Sequence, residues 1–130
     1  MPHTDVIYYR DDEDGSVPVL DWLTKLSRKN QKAAVKCLAR IEVLAELGHE
    51  LRRPVADYLR DGIYELRVRV GHVNYRILYF FHGQNVAILA HGLTKEKEVP
   101  DADIDRALSR KAAFEKDPVR HSYQEEDSDG

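Results

Sequence analysis

Residues 62–80, GIYELRVRVGHVNYRILYF, constrain the fold more than any other part of this 130-residue chain. Apolar and polar side chains alternate through the first half. Tyr64, Leu66, Val68 and Val70 fall on one side, Glu65, Arg67 and Arg69 on the other. Strict alternation marks a strand with one buried face. Gly71-His72-Val73-Asn74 offers a four-residue turn, and residues 75–81 read as the returning strand. Their β-branched and aromatic content favours a hairpin over a helix. On the return, Tyr75, Ile77 and Tyr79 share one face, and Arg76, Leu78 and Phe80 the other. With Arg76 on the side of Arg67 and Arg69, three guanidiniums stand on one sheet face beside a single carboxylate, Glu65. Arginines on an open antiparallel face are commonly just solvated. A cluster calls for more, because like charges on neighbouring strand positions repel by up to about 1 kcal/mol. Arginine's planar fork suits phosphate.

The rest of the chain supplies cover for such a hairpin. Val6-Ile7-Tyr8-Tyr9 reads as a first strand ending in the acidic turn 11–15. Ser16 is the expected N-cap of a short helix with Pro18 in its first turn and Val19, Leu20, Leu23 and Leu26 as its buried stripe. Trp22 beside that stripe reads as a packing residue. Asn30 caps a longer helix in which Ala34, Cys37, Leu38, Ile41, Leu44 and Ala45 recur at helical spacing, and Gly48 stops it. Cys37 then sits inward, as a small core residue and not a nucleophile. Residues 49–61 read as a connection, kept extended around Pro54, with Asp61-Gly62 turning into the hairpin. After a turn at 82–85, residues 86–91 form a third meander strand. Pro100 and Asp101 introduce a helix with Ile104, Ala107, Leu108 and Ala112 on its apolar side. The order is strand, two helices, three-strand meander, C-terminal helix: an α+β fold with a central antiparallel sheet, helices on one face and the arginine face open.

Charge is unevenly spread beneath the net value of −3. Residues 51–97 hold eight Lys/Arg against four Asp/Glu, and residues 22–41 hold six basic residues and no acid. Such blocks suit a polyanion, and are equally common as solvated helix faces. Residues 117–130 hold five acids against one arginine. The expected division is a domain at 1–116 and an acidic, disordered tail at 117–130, whose deletion leaves the melting temperature within a few degrees. No apolar run nears the roughly 20 residues of a membrane span, the N-terminus is too acidic for a secretory signal, and the lone Cys37 suits a reducing cytoplasm. One cysteine and six scattered histidines give no metal-ligand spacing, so no metal and no cofactor are expected.

Gly-Ile-Tyr-Glu-Leu-Arg at 62–67, Tyr-Arg-Ile-Leu-Tyr at 75–79 and His-Gly-Leu-Thr-Lys at 91–95, followed by Pro100 and a helix containing Ala107, stand in a recognisable order. With the Asp-Gly turn before Pro-Val at 14–19 and the helix ending at Gly48, the chain resembles the RelE/ParE superfamily of bacterial and phage toxins, in its HigB-like branch, over roughly residues 6–115. The resemblance implies a RelE-like fold and a type II toxin that enters the ribosomal A site and cleaves mRNA there. It implies an antitoxin encoded beside it, in this branch commonly a helix-turn-helix protein. On the family pattern Arg67 and Arg76 belong to the cleavage site, and Lys95 matches the first basic residue after the third strand. The family usually follows that lysine with a second; here Glu96 intervenes and Lys97 comes next.

These residues suit metal-independent cleavage of RNA. The 2′-OH must be aligned with the scissile phosphate, charge on the phosphorane stabilised, and protons moved. Arg67 and Arg76 suit the second task. Lys95, crowded by them, is the candidate acid or second electrostatic clamp. Glu65 is either a base or the ion-pair partner that orients Arg67. His91 is either a proton carrier or a core histidine. Arg69, Lys97 and His91 are assigned to RNA contact. Two other classes keep the same face for other ends: a ParE-like inhibitor of DNA gyrase without cleavage, and an inactive basic interaction module. Nothing in the chain pre-positions free RNA, so the ribosome is expected to supply the alignment.

Overall fold

The computed structural model describes residues 3–94 and 97–124. Strand β1 (Asp5–Tyr9) leads into helices α1 (Pro18–Lys29) and α2 (Gln31–Leu47). Strands β2 (Ala56–Arg60), β3 (Ile63–Val70), β4 (Val73–His82) and β5 (Val86–Thr94) follow, then helix α3 (Asp101–Lys116) and the short strand β6 (Ser122–Tyr123). Among the described residues these strands make one six-stranded sheet in the order β2-β3-β4-β5-β1-β6. Its one parallel pair is β1 with β5, and the other neighbours are antiparallel. The α+β arrangement expected from the order of elements is present, widened by β2 and β6.

Turn chemistry sets the register. Asp61 (φ +52°) and Gly62 (φ +87°) join β2 to β3, with Arg60 paired to Ile63. Two successive positive φ values give the primed turn whose twist matches that of the strands. The β3–β4 hairpin is tighter than the four-residue turn read from the sequence. Val70 pairs with Val73, leaving Gly71-His72 as a two-residue connection.

Helix α1 starts one residue later than its expected cap. Pro18 occupies the first turn and Val17 is the N-cap, without a side-chain bond. Ser16 instead closes the acidic turn, its carbonyl accepting from Asp11 N and its N–H donating to Asp14 Oδ1. Asn30 caps α2 as read, accepting from Ala33 N–H at 3.1 Å, and Gly48 ends it. Cys37 is fully buried, and burial pushes its thiol up to about 11, which leaves it inert as a nucleophile. Trp22 packs on Tyr75 and on Gly92. A Cβ at position 92 would come within 2.4 Å of the indole, so only glycine admits that contact.

Helices cover both faces of the sheet, not one. Helices α1 and α2 pack on the face carrying Leu66, Val68, Tyr75, Ile77 and Tyr79. Helix α3 packs on the opposite face, where Ile104, Ala107 and Phe114 meet Ile63, Leu78, Phe80, Ile88 and Ala90. Leu38 and Ala112, read as inward, are exposed; Phe114 holds the inward place on the last helix. Its ring lies edge to face with Phe80 at 5.7 Å, and its burial is worth about 2–3 kcal/mol. The arginine face is therefore open only where α3 does not reach.

Residues 117–124 also depart from the sequence reading. Ser122 and Tyr123 pair with Tyr9 and Tyr8. His121 is buried, stacked on Tyr9 at 5.2 Å, and its Nδ1–H donates to the Arg10 carbonyl at 2.8 Å. Polar composition predicted no structure here, but two aromatic contacts and a strand pairing offset the ordering entropy. Residues 125–130 of the expected tail lie outside the described residues.

Candidate functional site

Arg67 on β3 and Arg76 on β4 are direct cross-strand partners. Turn length decides this. A four-residue turn would pair Val70 with Tyr75 and set Arg76 opposite Arg69. The observed two-residue turn moves the register by two and sets it opposite Arg67.

Two like charges so close repel, and one carboxylate beneath them answers the repulsion. Glu65 is 2% exposed, its Oε1 accepting from Arg76 at 2.9 Å and its Oε2 from Arg67 at 3.4 Å. A second carboxylate, Asp57, lies beside Glu65 across the β2–β3 ladder. Asp57 Oδ2 accepts from Arg67 at 3.1 Å and from Arg53 at 3.0 Å. The bond from Arg53 is the main reason that the Asp57 carboxyl is held below the usual carboxylate range, with Arg67 adding to it. The result is a row in which cation and anion alternate, Arg53, Asp57, Arg67, Glu65, Arg76. Such a row fixes side-chain geometry more than it projects charge.

All of the row but Arg53 forms one wall of a cleft of about 580 Å³ between the sheet and the start of α3. Lys97, Glu98 and Val99 close it from the segment after β5, and Asp101 and Ile104 from α3. Arg60 guards the rim, bonded to Asp105 at 2.8 Å and Asp61 at 3.0 Å, with Asp101 at 3.5 Å. Four basic and four acidic side chains line the cleft. With those charges balanced, the cleft offers placed donors and no net charge. The Nε–H groups of Arg67 and Arg76 are buried with no acceptor among the described residues. A buried polar group left unbonded costs about 1–3 kcal/mol, a cost that folding alone does not recover.

Of the residues singled out from the sequence, Arg67, Arg76 and Glu65 come together, and Lys97 lines the same cleft. Lys95 lies outside the described residues, as does Glu96. Glu65 does not stand alone as expected, since Asp57 joins it, and it lies buried between the two guanidiniums. Arg69 is not in the cleft. It lies at the hairpin end, donates to the Gly71 carbonyl at 3.2 Å, and borders a groove with Lys36 and Arg40 of α2. His91 is not in the cleft either. Its Nδ1 accepts from Arg110 at 3.3 Å, which leaves Nε2–H to donate to Asp103 at 2.7 Å. Burial lowers its proton affinity, partly offset by Asp103. His91 is a neutral tie between β5 and α3. Sequence reasoning missed Asp57, Arg53 and Arg60, because it took β2 for a connection. The Asp61-Gly62 pair, with Tyr58-Leu59 shortly before it and Ile63-Tyr64 directly after, was the signal for a hairpin there.

Fold and site define a small α+β protein whose hairpin presents a carboxylate-locked arginine pair at the mouth of a cleft. Residues 21–112, well over half of the chain, match the family described as Phage derived protein Gp49-like (DUF891), and the chain belongs to that family. The family falls in the RelE/HigB-like toxin superfamily of toxin–antitoxin systems, which implies an antitoxin partner. A search of curated proteins gives no match. Among the described residues no helix is long and apolar enough to cross a membrane.

Proposed function

We propose that this protein is the toxin of a type II toxin–antitoxin pair and a ribosome-dependent endoribonuclease that inhibits translation by cutting mRNA. The observation that carries the reading is the cross-strand pair Arg67 and Arg76, held by the buried Glu65 at the wall of a cleft that also holds Lys97. In this reading the substrate 2′-OH loses its proton to water and attacks the adjacent phosphate, the two guanidiniums stabilise the charge that develops on the phosphorane oxygens, and the P–O5′ bond breaks to leave a 2′,3′-cyclic phosphate and a protonated 5′-OH end. The guanidinium N–H groups turned away from Glu65 and Asp57 are donors whose direction is already fixed when that charge appears. Glu65 and Asp57 orient the pair, and Lys97 meets the RNA backbone. Lys95 serves as proton donor or second clamp. The antitoxin, a helix-turn-helix type on the family pattern, would silence the toxin by covering this region.

Induction of the protein alone, followed by mapping of mRNA 5′ ends on translating ribosomes, tests the proposal. Cuts clustered at the ribosomal A site, lost in Arg67→Ala, are the expected result. Growth arrest without new 5′ ends would overturn the nuclease reading.

A further inference from the structure

A second hollow of about 570 Å³ opens beside the arginine cleft, and the two share Asp57 as a wall. It lies along β2, where Tyr58 faces Tyr64 across the ladder. Tyr58 is unusual for this molecule: a large aromatic residue, 52% exposed, that is nonetheless pinned. Its hydroxyl accepts from Gly62 N–H at 3.0 Å, and its ring meets Tyr64 edge to face at 5.0 Å. Tyr64 is in turn stacked on Tyr79 at 5.4 Å. Leaving such a ring in water forfeits burial, and folding gives no reason to hold it still. Arg52 and Arg53 line the same hollow. Arg52 is anchored to the carbonyls of His49 and Leu51, and Arg53 is bonded through Asp57 to Arg67.

A rigid exposed aromatic ring beside arginines is the recurring platform for single-stranded nucleic acid, where a base stacks and the cations follow the backbone. We infer that Tyr58 is a stacking platform for a base of single-stranded RNA, with Arg52 and Arg53 taking the flanking phosphates, so that the strand crosses the β2 edge into the arginine cleft. The inference rests on the RNA-cleaving reading above and extends it to how the substrate strand is held. The shared wall at Asp57 supports continuity, since the carboxylate there is already neutralised by Arg53 and Arg67. Charge and a pinned ring favour a nucleic acid over a peptide strand added to β2, whose short, charged edge discourages pairing.

The test uses the full chain and a fluorescein-labelled decamer of single-stranded RNA, with the same sequence as a duplex for comparison. Binding is followed by anisotropy, and cleavage on translating ribosomes is measured on the same preparations. Tyr58→Ala should weaken single-strand binding about 10-fold or more, the loss expected of one stacked base. Tyr58→Trp should keep it, and duplex binding should be weak and unchanged. Equal single-strand affinity in Tyr58→Ala and the unmodified protein would overturn the platform, even with cleavage intact. Tyr58-dependent binding without any mRNA cleavage would sustain the platform and sink the nuclease reading. Absence of single-strand binding in the unmodified protein would overturn the platform as well. A Tyr58→Ala protein that loses its co-expressed antitoxin but keeps RNA affinity would reassign the surface to protein binding, and so refute the inference.

Discussion

Replacement of Arg76 by alanine asks whether the arginine pair is held for chemistry or for the fold. An arginine on an open sheet face would cost less than about 1 kcal/mol when lost. The observed surroundings predict more. Arg76 is 13% exposed and makes the shorter of the two bonds to Glu65. Without it the buried Glu65 carboxyl keeps its contact to Arg67 at 3.4 Å and loses the shorter one. Breaking a fully buried ion pair from one side costs about 3–5 kcal/mol, and the surviving contact to the half-exposed Arg67 brings the expected cost down to about 2–3 kcal/mol. At about 3–5 °C per kcal/mol for a domain of this size, the melting temperature should fall by about 6–15 °C. Adding Glu65→Gln removes the stranded charge and should recover about half of that loss. Melting curves and urea titrations on the two single variants and the double variant form a double-mutant cycle. Activity is then compared in Arg76→Lys, which keeps a charge for Glu65 and so keeps most of the stability. A point charge cannot reproduce a two-pronged donor, so cleavage should still fall on the order of 100-fold. Two results would refute the reasoning: an Arg76→Ala protein melting within about 2 °C of the unmodified one, or full activity in Arg76→Lys.

Two further outcomes follow from the packing. His91 is buried and takes up a proton less readily than in the unfolded chain, mainly through desolvation. Its contribution to stability is therefore complete above the unfolded value of about 6.5 and is lost as pH falls through the lower folded value. His91→Gln should flatten the melting curve between about pH 7 and pH 5, and superimposable pH profiles would count against the buried neutral ring. Deletion of residues 117–130 removes β6 and the His121 ring stacked on Tyr9, so the melting temperature should fall by more than about 5 °C. A truncated protein that melts like the full chain would show that this segment does not dock.

How much of this could be read in the sequence depends on where the physical signal is local. The hairpin was legible because β3 alternates, its polar residues facing the uncovered part of the sheet. Helix α2 was legible because Asn30 and Gly48 mark both its ends. The side taken by α3 was not read, although the chain carries the information. Residues 77–80 and 87–90 are unbroken apolar runs and every one of them is buried, the pattern of strands covered on both faces. Alternation in β3 argued for an open face, and it was true only of the end that α3 leaves free. Strand β2 was missed for the opposite reason. Asp57 and Arg60 give it too much charge for a core strand, because both face the cleft. The docking of residues 117–124 depends on Tyr8 and Tyr9, more than 100 positions away, and no local composition reports that.

The site shows the same division between what is local and what is not. Within β3 period two alone puts Glu65, Arg67 and Arg69 on one face, and Arg76 of β4 joins them when the turn holds an even number of residues. Which of them touch depends on the turn, and Gly71-His72 chooses Arg67 as the partner of Arg76. That choice separates Arg69 from the pair and sends it toward α2. The carboxylates complete the argument. A face bearing only arginines would bind anions loosely and repel itself. With Glu65 and Asp57 interleaved, the guanidiniums lose long-range pull and gain fixed direction, and fixed donors discriminate between the ground state and a developing phosphorane. On the proposed reading, the cleft would stabilise charge that appears during a reaction more than it would capture a charged substrate, and capture of RNA would fall to surfaces outside the cleft or to the ribosome itself.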